Sequence, residues 1–304
     1  MLSVSVIIPA WNEEERIAEC LTCATRQTVA AKEILVVNNN STDNTETIVR
    51  KFIAQNPHCN VKILEQPDRQ GLIPTRNFGF AHATGDIFGR IDADCMMDPH
   101  WVEVVTASFA HDRAVMGLTG PVTYYDMPAR MVSLVGDNQI RKRVYKADGG
   151  KVLLFGSNMA LRAKAWNAIK GEVCEDLADE IHEDIDISLH LIANGLKTAY
   201  NPKMIVGMSA RRMGDSKSDF LTYMRRFRNT FEAHPGHIRT TRPEYVFTSL
   251  YPIMHLWYPA YRQQLEKKRV NPAKQVWLKK QMKLARRKQL ESCSSYSRAK
   301  KGKN

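Results

Sequence analysis

The first ninety residues alternate between short apolar runs and amphipathic helical patterns, and this alternation restricts the possible folds more than any other feature. Four apolar runs have the length of buried strands: 3–8, 33–37, 60–65 and 86–91. Between the first two runs, apolar residues recur at helical spacing: Ile17, Cys20, Leu21 and Ala24. Repeated β-α-β units predict a parallel sheet with right-handed crossovers and helices on both faces.

Polar loops follow three of these strands, at 9–14, 38–43 and 92–94. The carboxyl ends of parallel strands are where α/β sheets bind ligands. The carboxylates of Asp92 and Asp94 suit Mg²⁺, which is often shared between one or two acids and substrate phosphates. Each loop also has a structural explanation: Trp11 as core, the Asn run as turn chemistry, the acids as helix caps. Their coincidence at equivalent strand ends favours a site for a nucleoside diphosphate and a metal.

The Asp-x-Asp pattern alone is weak, because a chain of this length contains it about once by chance. It occurs a second time, at Asp184 and Asp186, after a strongly acidic segment at the predicted start of a helix. Acids in a first helical turn can cap the helix and match its dipole. They can also act as a general base toward a hydroxyl group. Both roles can hold together.

These motifs resemble, in order and spacing, the family 2 glycosyltransferases of the GT-A fold. The resemblance covers roughly residues 1–235 and rests on six segments: 4–14, 39–43, 75–77, 92–94, 156–159 and 182–184. It implies an α/β, Rossmann-like domain that binds a nucleotide-diphosphate sugar, with a UDP-sugar expected. It also implies Mg²⁺ or Mn²⁺ as cofactor and transfer with inversion to a saccharide or lipid-linked acceptor, in cell-surface polysaccharide or glycolipid synthesis.

By the same resemblance, the donor side has a pocket for base and ribose, a metal site and an arginine near the diphosphate. The pocket residues are Pro9, Ala10, Trp11, Glu13 and Asn39. Asn39 stands where such enzymes commonly have an Asp that contacts the base. Asp94 is expected to hold the metal, with Asp92 assisting directly or through the ribose. Arg76 is placed to approach the diphosphate or base, with a solvated helix arginine as the alternative.

The acceptor side is expected to contain Gly156, Ser157 and Asn158, with Asp184 as general base and Glu183 in support. The paired Arg211 and Arg212 suit a clamp on phosphate oxygens or, alternatively, a salt-bridged surface pair. No His lies between residues 201 and 215, where related enzymes often supply a further metal ligand.

The spacing of apolar and capping residues predicts further helices and strands. Asn12 with Glu15 is typical of a helix start. Two strands are predicted at 114–125 and 152–161, and two helices at 96–110 and 219–234. The basic segment at 141–143 is ambiguous and suits a helix over the site. The aromatic stripe of the last helix is interpreted mostly as core.

The net charge of +12 is concentrated at the end of the sequence. From residue 261 onward there are 15 Lys and Arg against two acids, which leaves 29 basic and 30 acidic residues elsewhere. We therefore expect an extension at 236–304, aromatic then polybasic and helical, that meets anionic lipid or is a solvated tail. Two rival functions remain: a nucleic-acid binder that acts through this tail, and a catalytically silent module that binds nucleotide sugars. No specific nucleic acid is expected as a partner.

The predicted localisation rests on three features that the sequence lacks: a secretory signal, a membrane span and paired cysteines. Residues 3–8 form a strand pattern rather than a secretory signal, and no run reaches the roughly 18 apolar residues of a membrane span. The six Cys are scattered without zinc-ribbon spacing, which favours a reducing compartment. We expect a cytoplasmic protein that can be peripheral on the inner face of the plasma membrane.

Overall fold

The structure is a computed structural model that describes residues 2–127, 130–176, 178–235 and 243–269. Within these residues there are ten strands, nine α-helices and a 3₁₀ turn at Arg211–Gly214. The strands are β1 (Val4–Ala10), β2 (Glu33–Asn38), β3 (Val61–Glu65), β4 (Ile87–Arg90), β5 (Met96–Met97), β6 (Val115–Thr119), β7 (Val122–Tyr124), β8 (Met159–Arg162), β9 (Lys197–Tyr200) and β10 (Val206–Met208). The helices are α1 (Ile17–Thr25), α2 (Thr45–Gln55), α3 (Leu72–His82), α4 (Trp101–His111), α5 (Arg130–Ala147), α6 (Ala163–Ile169), α7 (Glu183–Ala193), α8 (Lys217–Ala233) and α9 (Pro243–Arg269).

Seven strands form the main sheet, in the order β3-β2-β1-β4-β8-β6-β9. The first four strands of the chain are mutually parallel, with Ile7 of β1 opposite Leu35 of β2 and Arg90 of β4. Strand β8 runs antiparallel to both of its neighbours, β4 and β6. A small sheet of order β5-β10-β7 lies apart from the main one. The predicted parallel α/β sheet is confirmed.

Both faces of the main sheet are covered by apolar packing. Successive residues of a strand point to opposite faces, and β1 shows this directly. Val6 and Ile8 belong to one buried cluster with Trp101, while Ile7 belongs to a second cluster with Trp166. A strand that is buried on both faces must be apolar throughout, which is why β1 and β2 are continuous apolar runs.

The predicted helix at 96–110 begins later than its sequence pattern indicated. Met96 and Met97 instead form β5, which pairs with β10, and α4 starts at Trp101. Asp98 precedes Pro99, and the proline ring disfavours helical backbone at the residue before it. The Asp98 carboxylate accepts the His100 N–H at 3.0 Å, so it closes a turn before the helix.

Two predicted strands are shorter than expected. The 114–125 run divides into β6 in the main sheet and β7 in the small one. The division falls at Gly120 and Pro121, where a Cβ on Gly120 would lie 1.9 Å from the Met204 carbonyl oxygen. The 152–161 run is strand only from Met159 onward.

The ambiguous basic segment is helical, within α5, and the predicted helix at 219–234 is α8. The chain divides into two compact units, one up to His255 and one from Leu256. The predicted boundary at residue 235 stays a prediction. The polybasic part of the extension beyond Arg269 lies outside the described residues.

Candidate active site

One large cleft of about 630 Å³ lies at the carboxyl ends of β1, β2 and β4. It is closed on other sides by the start of α7, the turn after β10 and one face of α8. Most of the residues expected at the site line it: Pro9, Ala10, Trp11, Glu13, Asn39, Asp92, Asp94, Gly156, Ser157, Glu183, Asp184, Arg211 and Arg212. Its volume is within the range of small-molecule sites.

The loops after β1 and β2 are joined to each other by side chains. Asn12 does not cap α1, which begins at Ile17; its backbone is left-handed, with φ of 54°. Its carboxamide oxygen accepts the Thr42 N–H at 2.8 Å, and the Glu13 N–H donates to the Thr45 hydroxyl at 2.7 Å. The expectation of an Asn12 cap is therefore wrong, because the residue ties two loops of the cleft together.

Asn39 is buried at the end of β2, and most of its hydrogen-bonding capacity is used within the protein. Its amide donates to the carbonyl oxygens of Gln66 and Arg69 at 2.8 and 2.9 Å. Its carbonyl oxygen accepts the Gly71 N–H at 2.8 Å. An amide oxygen has two lone pairs, so a ligand base would meet one remaining acceptor and no free donor.

Asp92 and Asp94 have different surroundings in the cleft. One oxygen of Asp92 accepts from Arg90 Nη2 at 2.7 Å, and the other accepts from the Ser157 hydroxyl at 2.5 Å. Asp94 is 8% exposed, and its Oδ2 lies 3.2 Å from Arg211 Nε. Burial raises the pKa of Asp94 to about 6, and the nearby carboxylates of Asp92 and Glu13 add to this although Arg211 opposes it.

Arg211 bridges the two acidic parts of the donor side. Its guanidinium makes two hydrogen bonds to Glu13, at 2.6 and 3.1 Å, while its Nε faces Asp94. Arg211 is therefore ion-paired, as the alternative of a salt-bridged surface pair expected. Its partners, however, are acids of the cleft. Arg212 lies with its guanidinium carbon 3.7 Å from the centre of the Tyr223 ring, which is within cation–π distance.

The donor-side residues fit a divalent cation. Carboxylate oxygens of Asp92 and Asp94 and the Cys95 sulfur lie within 4.8 Å of one another. The Cys95 thiol donates to Asp94 Oδ1 at 3.6 Å, so it supports the carboxylate from a fully buried position. Hard oxygen donors beside open space match the preferences of Mg²⁺ and Mn²⁺.

Arg90 joins the two halves of the cleft, and sequence reasoning missed it. It is buried at the end of β4, where it contacts Asp92 through Nη2 and Glu183 through Nη1. A Cβ on Gly156 would lie 1.8 Å from this Nη1, so only glycine leaves room for the pair. The available signal in the sequence was a charged residue at the end of an apolar strand, because such a residue requires a buried partner.

The acid pair at the start of α7 has opposite pKa shifts. Burial alone favours neutral Glu183, but the guanidinium groups of Arg90 and then Arg76 lower its pKa below the usual value. Burial and the Glu183 charge raise the pKa of Asp184 to about 7. Asp184 Oδ2 accepts the Gly156 N–H at 2.6 Å, and Oδ1 accepts the Ile185 N–H at 2.9 Å. The residue thus accepts a backbone N–H in the first turn of its helix and also has the pKa that suits a general base.

Two expected site residues do not line the cleft. Arg76 is fully buried beneath α7, where it donates to the Glu183 carbonyl at 3.2 Å and lies over the Trp166 ring. Asn158 is also fully buried, and it accepts from the Trp101 indole at 2.8 Å and donates to the Met204 carbonyl at 2.7 Å. Both side chains are fully buried, so Arg76 meets the site through Glu183 and Asn158 lies in the core.

The aromatic side of α8 is more than core. Phe220, Tyr223 and Phe227 form part of the cleft wall. His182 packs against Phe227 with ring centres 3.9 Å apart, and burial lowers the pKa of His182 to about 4. The apolar wall therefore carries a neutral imidazole beside the acid pair.

The fold and the site together define a class of protein: an α/β domain whose main cleft brings an acidic loop after β4 and a buried acid pair at the start of α7 together. Comparisons agree with this. Residues 5–167 match the model of Glycosyl transferase family 2, and residues 89–263 match Glycosyl transferase family group 2. The first match covers more than half of the sequence, so the chain belongs to glycosyl transferase family 2.

Similar proteins include curated and solved examples. Glycosyltransferase AglE of Haloferax volcanii is 40% identical over 102 residues, which are 33% of this chain and 33% of that protein. The mannosyltransferase PcManGT of Pyrobaculum calidifontis, solved with GDP-Man and Mn²⁺, has a TM-score of 0.59 at 19% identity, covering 92% of this chain and 80% of that one.

Glucosyl-3-phosphoglycerate synthase of Mycobacterium tuberculosis was solved with Mn²⁺, UDP and phosphoglyceric acid. It has a TM-score of 0.56 at 19% identity, covering 79% of this chain and 80% of that one. These likenesses confirm the GT-A fold. The matches to the first curated relatives span about a third or less of those proteins' lengths.

Proposed function

We propose that this protein is an inverting glycosyltransferase that moves a sugar from a nucleoside-diphosphate donor to a hydroxyl group of an acceptor. One observation carries the proposal. Asp94 and Asp184 line the same cleft, and the chain Asp92–Arg90–Glu183 connects their surroundings. Family membership supports this class of reaction.

The donor half is supported by the acidic loop after β4. Asp94, with Asp92, would hold Mg²⁺ or Mn²⁺, and the structural relative PcManGT was solved in complex with GDP-Man and Mn²⁺. When bound, such an ion stabilises negative charge on a departing diphosphate. Arg211 and Arg212 would add positive charge beside the phosphate oxygens, and Trp11, which is 55% exposed in the cleft, offers a face for the nucleotide.

The acceptor half is supported by the acid pair. Asp184 would take the proton from the acceptor hydroxyl as its oxygen bonds to the anomeric carbon and the carbon–oxygen bond to the diphosphate breaks. Attack opposite the leaving group inverts that carbon. Glu183 remains ionised beside Arg90, and its charge keeps the pKa of Asp184 near neutrality. The Gly156 N–H fixes the Asp184 carboxylate.

A thermal-shift panel tests the donor. UDP, GDP, CDP and dTDP are added to the protein with and without Mn²⁺, because a ligand that binds the folded state raises the melting temperature. We expect one diphosphate, UDP by our sequence-based expectation, to stabilise the chain in a Mn²⁺-dependent manner. The matching sugar nucleotide should then be consumed. Equal stabilisation of the Asp94→Ala variant would contradict the assigned metal ligand.

The acceptor class and the membrane contact are also proposals. A saccharide or lipid-linked acceptor is inferred from the family resemblance, and the cleft that would receive it is lined by Ser157 and Phe247 among others. Among the helices that the structure describes, none has the length and apolar character needed to cross a membrane. A peripheral contact through the polybasic segment is therefore argued from the sequence alone.

A further inference from the structure

A second group of metal-binding side chains lies outside the lining of the cleft. It consists of Cys174, Asp186, His190 and His234, whose ligand atoms all lie within 4.8 Å of one another. Asp186 and His190 are one turn apart on α7, His234 follows the last residue of α8, and Cys174 lies in the loop after α6. Three separate segments thus converge on one point.

The two histidines direct their Nε2 atoms toward each other. His234 Nδ1 lies 2.9 Å from the Thr230 carbonyl oxygen, and His190 Nδ1 faces a Glu172 carboxylate oxygen at 3.5 Å. Both of these oxygens are acceptors, so the tautomer with each ring hydrogen on Nδ1 leaves both Nε2 lone pairs available to a metal ion. The two Nε2 atoms are 3.3 Å apart, a distance that also suits a hydrogen bond between the rings in the other tautomer.

Asp186 supplies a carboxylate oxygen that faces the same two nitrogens. Its side chain is 1% exposed, and its Oδ2 accepts the Cys174 N–H at 3.0 Å. Its Oδ1 lies 3.1 Å from His234 Nε2 and 3.4 Å from His190 Nε2, yet it accepts no hydrogen bond from the described residues. A buried carboxylate oxygen without a donor has lost its hydration and gained no compensating hydrogen bond. A positive charge at this position would satisfy all three atoms.

We propose that Cys174, Asp186, His190 and His234 bind a zinc ion. Zinc is held in a tetrahedron by Cys sulfur, His nitrogen and carboxylate oxygen, at about 2.0–2.3 Å. Such bonds place neighbouring ligand atoms about 3.3–3.8 Å apart, close to the nitrogen–nitrogen and nitrogen–oxygen distances here. The Thr230 carbonyl and the Glu172 carboxylate are suitable second partners for the two imidazoles.

The chemistry of the donors separates this site from the one in the cleft. Sulfur and imidazole favour zinc, whereas the oxygen donors of Asp92 and Asp94 favour Mg²⁺ or Mn²⁺. Burial and the nearby Asp186 raise the pKa of the Cys174 thiol to about 12. Zinc would supply the positive charge that stabilises the thiolate, releasing the thiol proton.

The zinc site would fix the segment that carries the proposed base. Asp186 is two residues after Asp184 in the same first turn of α7. On the other side, Thr230 accepts the His182 N–H at 2.8 Å through its hydroxyl, and its carbonyl faces His234. Zinc at these ligands would lock the start of α7 against the end of α8. This role does not depend on the proposed transferase reaction.

The full chain is treated with a chelator, desalted and titrated with Zn²⁺ against a chromophoric competitor. One zinc per chain should bind, and the Asp94→Ala variant should retain it. Cys174→Ser and His190→Gln should each weaken binding by at least about 100-fold, since even loss of a partner outside the coordination sphere weakens it about 10–100-fold. Cys59→Ser, at a partly buried cysteine, and His111→Gln, at an exposed histidine, are the matched controls.

Cobalt provides a readout of the sulfur ligand. Co²⁺ in place of zinc should give a thiolate charge-transfer absorption that Cys174→Ser lacks and Cys59→Ser keeps. If Cys174→Ser does not fold by circular dichroism, His190→Gln carries the test. The proposal is overturned if folded His190→Gln binds zinc as the unaltered chain does, or if all zinc binding disappears with Asp94→Ala.

Discussion

At the scale of single residues, Asp184 combines the protonation and the position that a base requires. Its pKa of about 7 results from burial and from the neighbouring Glu183 charge. A base must be ionised to accept a proton, so kcat/KM should rise with pH up to about 7 and level off above it. Asp184→Asn should lower kcat by about 10²–10⁴-fold, the usual contribution of general-base catalysis, while donor binding remains.

The measurements for this variant are a pH–rate profile and a nucleotide thermal shift. Asp68→Asn, at an exposed acid outside the cleft, is the matched control and should leave both unchanged. A kcat for Asp184→Asn within about threefold of the unaltered protein would assign the base to another residue.

Gly156 tests the contact between Arg90 and the acid pair. In Gly156→Ala the new methyl group would lie 1.8 Å from Arg90 Nη1 and 3.1 Å from Asp184 Oδ2. We expect a loss of about 1–3 kcal/mol in unfolding free energy from overpacking, with a fall in kcat because Arg90 must shift. Gly136→Ala is the control, since nothing lies within 4 Å of a Cβ there and α5 should gain about 0.5–1 kcal/mol. Equal stability changes in the two variants, measured by urea unfolding, would count against the tight contact.

The arginines show what sequence reasoning could and could not supply at this scale. Strand-end acids were found because polar residues that follow buried strands form a local pattern. The roles of Arg76 and Arg90 depend on which carboxylate each meets, and their common partner Glu183 is about a hundred residues away. Asn158 was misplaced for the same reason, because its contacts with Trp101 and Met204 come from distant segments.

At the scale of elements, Glu33 joins the start of β2 to three neighbouring segments: β1, β3 and the turn after α3. Its Oε1 accepts the Ser5 hydroxyl and the Thr84 N–H and hydroxyl, each at 2.8 Å, and Lys62 pairs with Oε2. Burial opposes the charge, but these hydrogen bonds lower the pKa of Glu33 from 4.5 to about 2. The ionised form is therefore favoured by about 3 kcal/mol in the folded chain.

A lowered pKa stabilises the protein above the unfolded value of 4.5, and the stabilisation is lost as pH falls from 4.5 toward 2. Urea unfolding should therefore show Glu33→Gln to be less stable than the unaltered chain at pH 6, with the difference shrinking by about 1–3 kcal/mol near pH 3. Glu46→Gln, at an exposed acid on α2, is the control. A difference that is the same at both pH values would show that Glu33 acts through packing alone.

The small sheet marks the limit of pattern reasoning for elements. Strands β5, β7 and β10 have two or three residues each, too few to show alternation. They form because they pair with each other, so a tertiary contact decides their backbone. The long strands and helices of the first ninety residues carry their own periodicity, and their order was predicted correctly.

At the scale of the whole molecule, charge is divided between a nearly neutral body and a strongly basic end. Beyond Arg269 there are 11 Lys and Arg and one acid. Each basic residue near an anionic membrane surface contributes about 1 kcal/mol, so this number of charges would be enough for a reversible contact. We predict that the full chain sediments with vesicles containing phosphatidylserine at low salt and that a chain ending at Arg269 does not.

Raising the ionic strength should release the full chain, because screening shortens the range of these interactions. The Mn²⁺-dependent thermal shift with the nucleoside diphosphate should be equal for both chains, because every residue of the donor site precedes the truncation. Vesicles of neutral phosphatidylcholine are the control. Equal sedimentation of both chains would place the contact elsewhere, and a preference of the full chain for duplex DNA, with a steep salt dependence, would favour nucleic acid as the ligand of the tail instead.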